Sequence, residues 1–132
     1  MECCVCCYDE STLACLSLAN LQHHYCHYYD LFCCCPATAY GRGVYFATNF
    51  SYSAHAQYSP PDTNGTKYVY QSLVLTGQFV KGGQSMIVPP PKPSSGGATS
   101  RYDSVVDNET SPAIFVVFYD TQAYPQYLVS FK

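Results

Sequence analysis

The chain has 132 residues and a mass of 14.6 kDa, the length of one ordinary domain, so a single core and a single function are expected. Aromatic residues make up 16%, all of them Tyr or Phe, charged residues only 11%, and the apolar share is 48%, which excludes a disordered polyelectrolyte and suits a packed, strand-rich globule. A formal net charge of -3 argues against a basic nucleic-acid binder, and no direct nucleic-acid partner is expected.

All nine cysteines lie within residues 1–35, a stretch with four acids, no Lys or Arg, and three of the four His. All nine Pro and all eight Gly fall from Pro36 onward, with six basic and five acidic groups. The composition thus divides the chain into a Cys-rich head, residues 1–39, and a body, residues 40–132. No run approaches the roughly 18 consecutive apolar residues of a membrane span, and the N-terminus lacks the positive start of a secretory signal. A soluble intracellular protein without a membrane partner is expected, its cysteines kept as thiols or bound to metal rather than paired as disulfides. Cys4 and Cys7 followed by His23 and His27 satisfy a C-x2-C…H-x3-H zinc spacing. With so many Cys and His crowded together, some set will fit by chance, and the stretch has none of the basic side chains a DNA-reading finger needs. A zinc-binding interaction domain on these four residues is therefore an alternative to an unassigned lead-in. Leu13, Leu16, Leu18 and Leu21 are spaced for a short helix whose ends carry no convincing caps.

In the body, short β-rich runs alternate with Gly, Pro, Asn and Asp clusters, the pattern of a mainly antiparallel sheet. Residues 44–47 predict a brief strand. Residues 50–58 predict a helix, with Asn49 as N-cap and Pro60-Pro61 as the stop. Residues 67–76 (KYVYQSLVLT) follow an Asn64-Gly65 turn and predict an interior strand. Residues 86–88 predict a short strand before Pro89-Pro90-Pro91, and residues 92–100 a mobile surface loop. Residues 102–106 predict an edge strand. The strongest apolar run, residues 113–119 (AIFVVFY), is continuous rather than alternating, so both faces of that strand should be covered. Residues 127–131 should close the sheet.

Chemistry is first suggested at Gly41-Arg42-Gly43-Val44-Tyr45, where glycines permit close approach of the backbone and a strand Tyr follows at once. Tyr52, Ser53 and Tyr58 lie just downstream, where a helix would return aromatic rings and a hydroxyl beside the same pocket, and a flat cation could stack there. From residue 40 to the end, YGRGVYFA, SYSA with a Tyr four residues on, YSPPDTNG, LVLTGQFVKG, VPPP, YDSVVDN and SPAIFVVFYDTQAYPQYLVSF follow one another. This order and spacing resembles the catalytic domain of the poly(ADP-ribose) polymerase-like ADP-ribosyltransferases, especially the mono-transferring branch associated with macrodomains and WWE modules.

The resemblance implies an α+β, mainly antiparallel two-sheet fold whose N-terminal half is missing or replaced by the head. It implies transfer of a single ADP-ribose unit from NAD to protein acceptors, with release of nicotinamide, in the nucleus or cytoplasm. Tyr45 takes the place of the Tyr in the family's His-Tyr-Glu triad and would lie against nicotinamide, with Gly43 beside it. Tyr58 would stack on the other face, and Ser53 would hydrogen-bond the carboxamide. The Glu place falls on Ile114, which has neither acid, base nor acceptor function and so cannot polarise the ribose hydroxyl that polymer growth requires. The family's His-Gly-Thr segment has no counterpart, since no Gly precedes Gly41 and His23, His24 and His27 lack Gly-Thr after them. A catalytically inactive module that binds nicotinamide, NAD or a partner is the alternative that follows.

Overall fold

The computed structural model describes residues 2–5, 39–93 and 100–132. Seven strands are hydrogen-bonded into one sheet: β1 (Glu2–Val5), β2 (Val44–Ala47), β3 (Lys67–Val74), β4 (Phe79–Lys81), β5 (Ser104–Val106), β6 (Ile114–Val117) and β7 (Ala123–Phe131), in the order β4-β5-β6-β2-β1-β3-β7. The β4–β5 pairing is parallel and every other is antiparallel. The sheet consists of two blocks, β4-β5-β6-β2 and β3-β7. They are joined through β1, whose Cys4 stands opposite Ala47 on one side and Gln71 on the other. The two sheets expected from the sequence correspond to these blocks, which share one hydrogen-bonded order because β1 occupies the space between them. The fold is strand-dominated, as expected; helix α1 (Phe50–Ser53) is a single turn, and Asp120–Gln122 forms a 3-10 turn.

Packing follows from the alternation of side chains along β2 and β6. Tyr45 and Ala47 join Val105, Ile114, Val116 and Phe118 in one buried cluster. Val44 and Phe46 join Val74 and Val117 in another. With apolar partners on both faces, every residue of β6 is buried, which is what its continuous apolar run requires.

Several expected elements differ. The helix of residues 50–58 ends at Ser53, although Asn49 does cap it: Asn49 Oδ1 accepts from Ser51 N at 2.9 Å and from Ser51 Oγ at 2.8 Å. Serines compete with helix by bonding other backbone, and Ser59 does so here. Its Oγ donates to Tyr68 O at 2.8 Å and accepts from Tyr68 N at 3.1 Å, drawing the chain onto β3 instead of around another helical turn. The strand at Ser104–Val106 is interior, not an edge, because β4 pairs outside it. β4 is only three residues between glycines, too short to show a period in the sequence. Residues 86–88 form no strand; Met86 O instead accepts from Arg42 N at 2.7 Å. β7 starts at Ala123 and runs through Pro125, which its edge position permits, and the register shifts between Gln71 and Ser72 where β3 faces that proline. The short helix expected over residues 12–21 and most of the loop after Pro91 lie outside the described residues, but the ends of that loop are tied by Lys92 N donating to Ser100 O at 2.7 Å.

Candidate functional site

β2 and β6 carry two of the residues singled out in the sequence, Tyr45 and Ile114. Tyr45 stands opposite Val116 and Ala47 opposite Ile114, so Tyr45 and Ile114 are diagonal neighbours on one face of the ladder. Both are nearly covered, at 9% and 7% exposure. The Tyr45 hydroxyl donates to Gly41 O at 2.7 Å and accepts from Tyr40 N at 3.0 Å. These bonds satisfy its polar end inside the protein, so the ring is what it can offer a ligand. Start of β6 is fixed by Asp107, whose Oδ1 accepts from both Ala113 N and Ile114 N at 3.0 Å.

After α1 the chain turns back and sets half-buried Tyr58 against the cluster that contains Tyr45 and Ile114. Tyr52 lies on Tyr58, ring centroids 4.9 Å apart and planes 20° from parallel, and the two hydroxyl oxygens are 2.8 Å apart. Ser53, the last residue of α1, is buried. Gly43 has a packing reason to be glycine: a Cβ there would run into Val117 O and lie 2.8 Å from Val116 Cγ1, so the close approach its small size permits is that of β6.

Beside this cluster opens a cleft of about 420 Å³ lined by Asn49, Ser51, Tyr52, His55, Gln57, Tyr58 and Ala113. It bears no carboxylate and no Lys or Arg. His55 Nδ1 accepts from Gln57 N at 3.3 Å, which leaves Nε2 as the ring's donor when it is neutral. Of the residues singled out in the sequence, Tyr52 and Tyr58 line the cleft directly; Tyr45 and Ile114 stand behind it in the cluster Tyr58 packs on, and Gly43 and Ser53 do not line it. His55 and Asp107 were not singled out, because a turn histidine and an aspartate before Ser-Pro carry no local signal of where the fold will put them. For the zinc alternative, Cys4 lies in β1, whereas Cys7, His23 and His27 lie outside the described residues, among which no group of three or more His, Cys, Asp or Glu could hold a metal.

Carboxylates away from the cleft serve as backbone anchors. Thr66 N–H, together with Asn64 N–H and the Tyr68 hydroxyl, holds the Asp62 carboxyl below its ordinary value. Gln78 N–H does the same for Asp103, assisted by Lys92. Burial, followed by the neighbouring Asp62, pushes the Tyr68 phenol up.

A model of the family described as the poly(ADP-ribose) polymerase catalytic domain matches residues 20–132. The chain belongs to this family. Among similar proteins, human protein mono-ADP-ribosyltransferase PARP14 is 53% identical over 96 residues, covering 73% of this chain and 5% of the relative. Mouse protein mono-ADP-ribosyltransferase PARP10 is 46% identical over 101 residues, covering 76% of this chain and 10% of the relative. Human protein mono-ADP-ribosyltransferase PARP12 is 40% identical over 99 residues, covering 75% and 13% respectively. The chain therefore spans a small part, 5% to 13%, of these relatives' lengths. The family match starts at residue 20, inside the Cys-rich head and upstream of residue 40, where the resemblance of motifs begins.

Proposed function

We propose that the body is the nicotinamide-side wall of an NAD-dependent mono-ADP-ribosyltransferase domain, the strand-rich part of the family's α+β two-sheet fold. Tyr45 and Tyr58 flank the nicotinamide ring, Ser53 bonds its carboxamide, and the backbone at Gly43 lies alongside. A pyridinium between aromatic faces gains about 1 to 2 kcal/mol once desolvated, and it loses its charge when the bond to ribose breaks, so the same rings release neutral nicotinamide more readily. Ile114 at the triad's Glu place supplies no base for a ribose hydroxyl, which restricts the reaction to one ADP-ribose per acceptor protein site. The observation that carries this reading is the sharing of one buried cluster by Tyr45 and Ile114 with Tyr58 packed against it. The relatives' names, all protein mono-ADP-ribosyltransferases, agree with it.

Incubation of the chain with NAD labelled in the adenylate and the nicotinamide should yield free nicotinamide and labelled protein, and Tyr58→Ala should lower both roughly five- to thirtyfold. Equal turnover by Tyr58→Ala would refute the assignment of the ring. A second reading is favoured by the absence of His-Gly-Thr from the 132 residues: a module that keeps the nicotinamide shelf but does not turn NAD over. Losing the His bond and the backbone bonds of that segment, at about 1 kcal/mol each, weakens NAD by on the order of a hundredfold while leaving the shelf itself. Benzamide raising the melting temperature without nicotinamide release would select this reading.

A further inference from the structure

Tyr52 has no role in the reading above, yet it makes the closest aromatic contact in the site. Its ring lies nearly parallel to that of Tyr58 at 4.9 Å, and the hydroxyls meet at 2.8 Å, so two separate constraints fix the Tyr58 ring plane: the stack and the hydrogen bond. Tyr58 also packs against the core cluster, and its backbone N–H donates to His55 O at 2.9 Å. Its position in a turn rather than in a helix or strand leaves its side-chain angles dependent on neighbours. Tyr52 can supply that constraint because α1 is itself pinned, through the Asn49 cap and through the contact of Phe50 with Phe131, ring centroids 5.0 Å apart.

We propose that Tyr52 is a positioning residue: it covers one face of Tyr58 and holds the ring so that its other face receives the nicotinamide ring. This rests on the assignment of Tyr58 to the nicotinamide shelf. The consequence is a three-layer stack in which Tyr52 touches Tyr58 and not the ligand. Tyr52 also lines the cleft, 44% exposed, so its removal opens the cleft rather than the core.

Binding of benzamide and of NAD to the complete chain tests this by calorimetry, alongside thermal unfolding of each variant without ligand. Tyr52→Ala should weaken benzamide roughly three- to tenfold, the range expected for losing one aromatic pair. Its ligand-free melting temperature should move little, because the residue is 44% exposed and lies outside the buried clusters. Tyr52→Phe keeps the stack and gives up the hydroxyl contact, and should stay within about twofold of the parent chain. In a chain still capable of turnover, the loss in Tyr52→Ala should fall on KM for NAD and not on kcat. If Tyr58→Ala weakens benzamide while Tyr52→Ala binds it as the parent does, the positioning role is overturned and the Tyr58 assignment survives. If Tyr52→Phe is as weak as Tyr52→Ala, stacking is not the cause and the proposal falls. No benzamide binding by the parent chain would overturn the shelf, and the positioning role with it.

Discussion

β2, β5 and β6 differ from β3 and β7 in what holds them. Every residue of the first three strands is buried. β3 and β7 form the longest ladder in the sheet, from Lys67↔Phe131 to Val74↔Ala123, yet no residue of β7 is fully buried and Leu73, Tyr124, Tyr127 and Leu128 are exposed. One region is fixed by side-chain packing on both faces, the other chiefly by backbone hydrogen bonds and cross-strand pairs. Tyr45 and Ile114 belong to the first, so the innermost residues of the proposed site sit where the fold yields least.

The difference gives the largest expected effect. Phe46 is almost wholly enclosed, and Phe46→Ala should cost about 3 to 5 kcal/mol of unfolding free energy through lost burial and the cavity left behind. Leu128, 39% exposed, should cost less than about 1 kcal/mol on the same change. Urea titrations followed by circular dichroism measure both. Similar losses would mean that the β3–β7 face is covered in solution, and the contrast between the regions would be gone.

Besides the packing of Val74 against Val44, Phe46 and Val117, one side chain ties the two regions by hydrogen bonds. Gln122 Nε2 donates to Asp103 O at 2.7 Å and to Leu75 O at 3.2 Å, while its Oε1 accepts from Phe118 N at 3.2 Å and Tyr119 N at 3.1 Å. The amide thus uses both donors and its acceptor to tie the ends of β3 and β6 to the start of β5. Gln122→Ala should cost about 1 to 3 kcal/mol, since four backbone groups, two of them in partly buried bonds, lose a partner together. Amide exchange should rise at Phe118 and Tyr119 before it rises in mid-β6. Faster exchange spread evenly over the sheet would show that Gln122 is no clasp.

These bonds also mark the limit of what the sequence reveals. β2 and the heart of β6 were legible because a short or continuous apolar run reports its own burial. The turn at Asn64-Gly65 was legible because Gly65 takes a φ of +77°, which other residues rarely adopt. Motif order from residue 40 was enough to suggest the family, and with it Tyr45, Ser53, Tyr58 and Ile114. The interior place of β5, the brevity of α1, the Asp107 and Gln122 clasps and the Tyr52–Tyr58 stack were not legible. Each depends on which distant backbone or ring the fold brings close, and local residue type carries no record of that. Gly43 was half legible: the need for close approach was there, but the neighbour is β6 itself.

The smallest effect separates the regions by acid. Asp103 anchors the entry to β5 and is held below its ordinary value of 3.8 by Gln78 N–H and then Lys92, whose Nζ is 3.4 Å away. Asp62 anchors the turn into β3, held below 3.8 by Thr66 N–H and then by Asn64 and Tyr68. A depressed folded-state value means the ionised carboxylate is the form favoured by folding. That stabilisation is complete above the unfolded value, near pH 4, and disappears as pH falls through the lower folded value. Both groups face solvent, which screens their interactions and keeps the effect modest. The melting temperature should therefore decline as pH falls below about 4, and Asp103→Asn should flatten part of that decline. In an acid titration by NMR, the Gln78 and Thr66 amides should shift with separate midpoints, each below 3.8, one for each region. If instead they move together with the global unfolding curve, the two anchors belong to one cooperative unit, and the division drawn from packing does not extend to the loops that feed the strands.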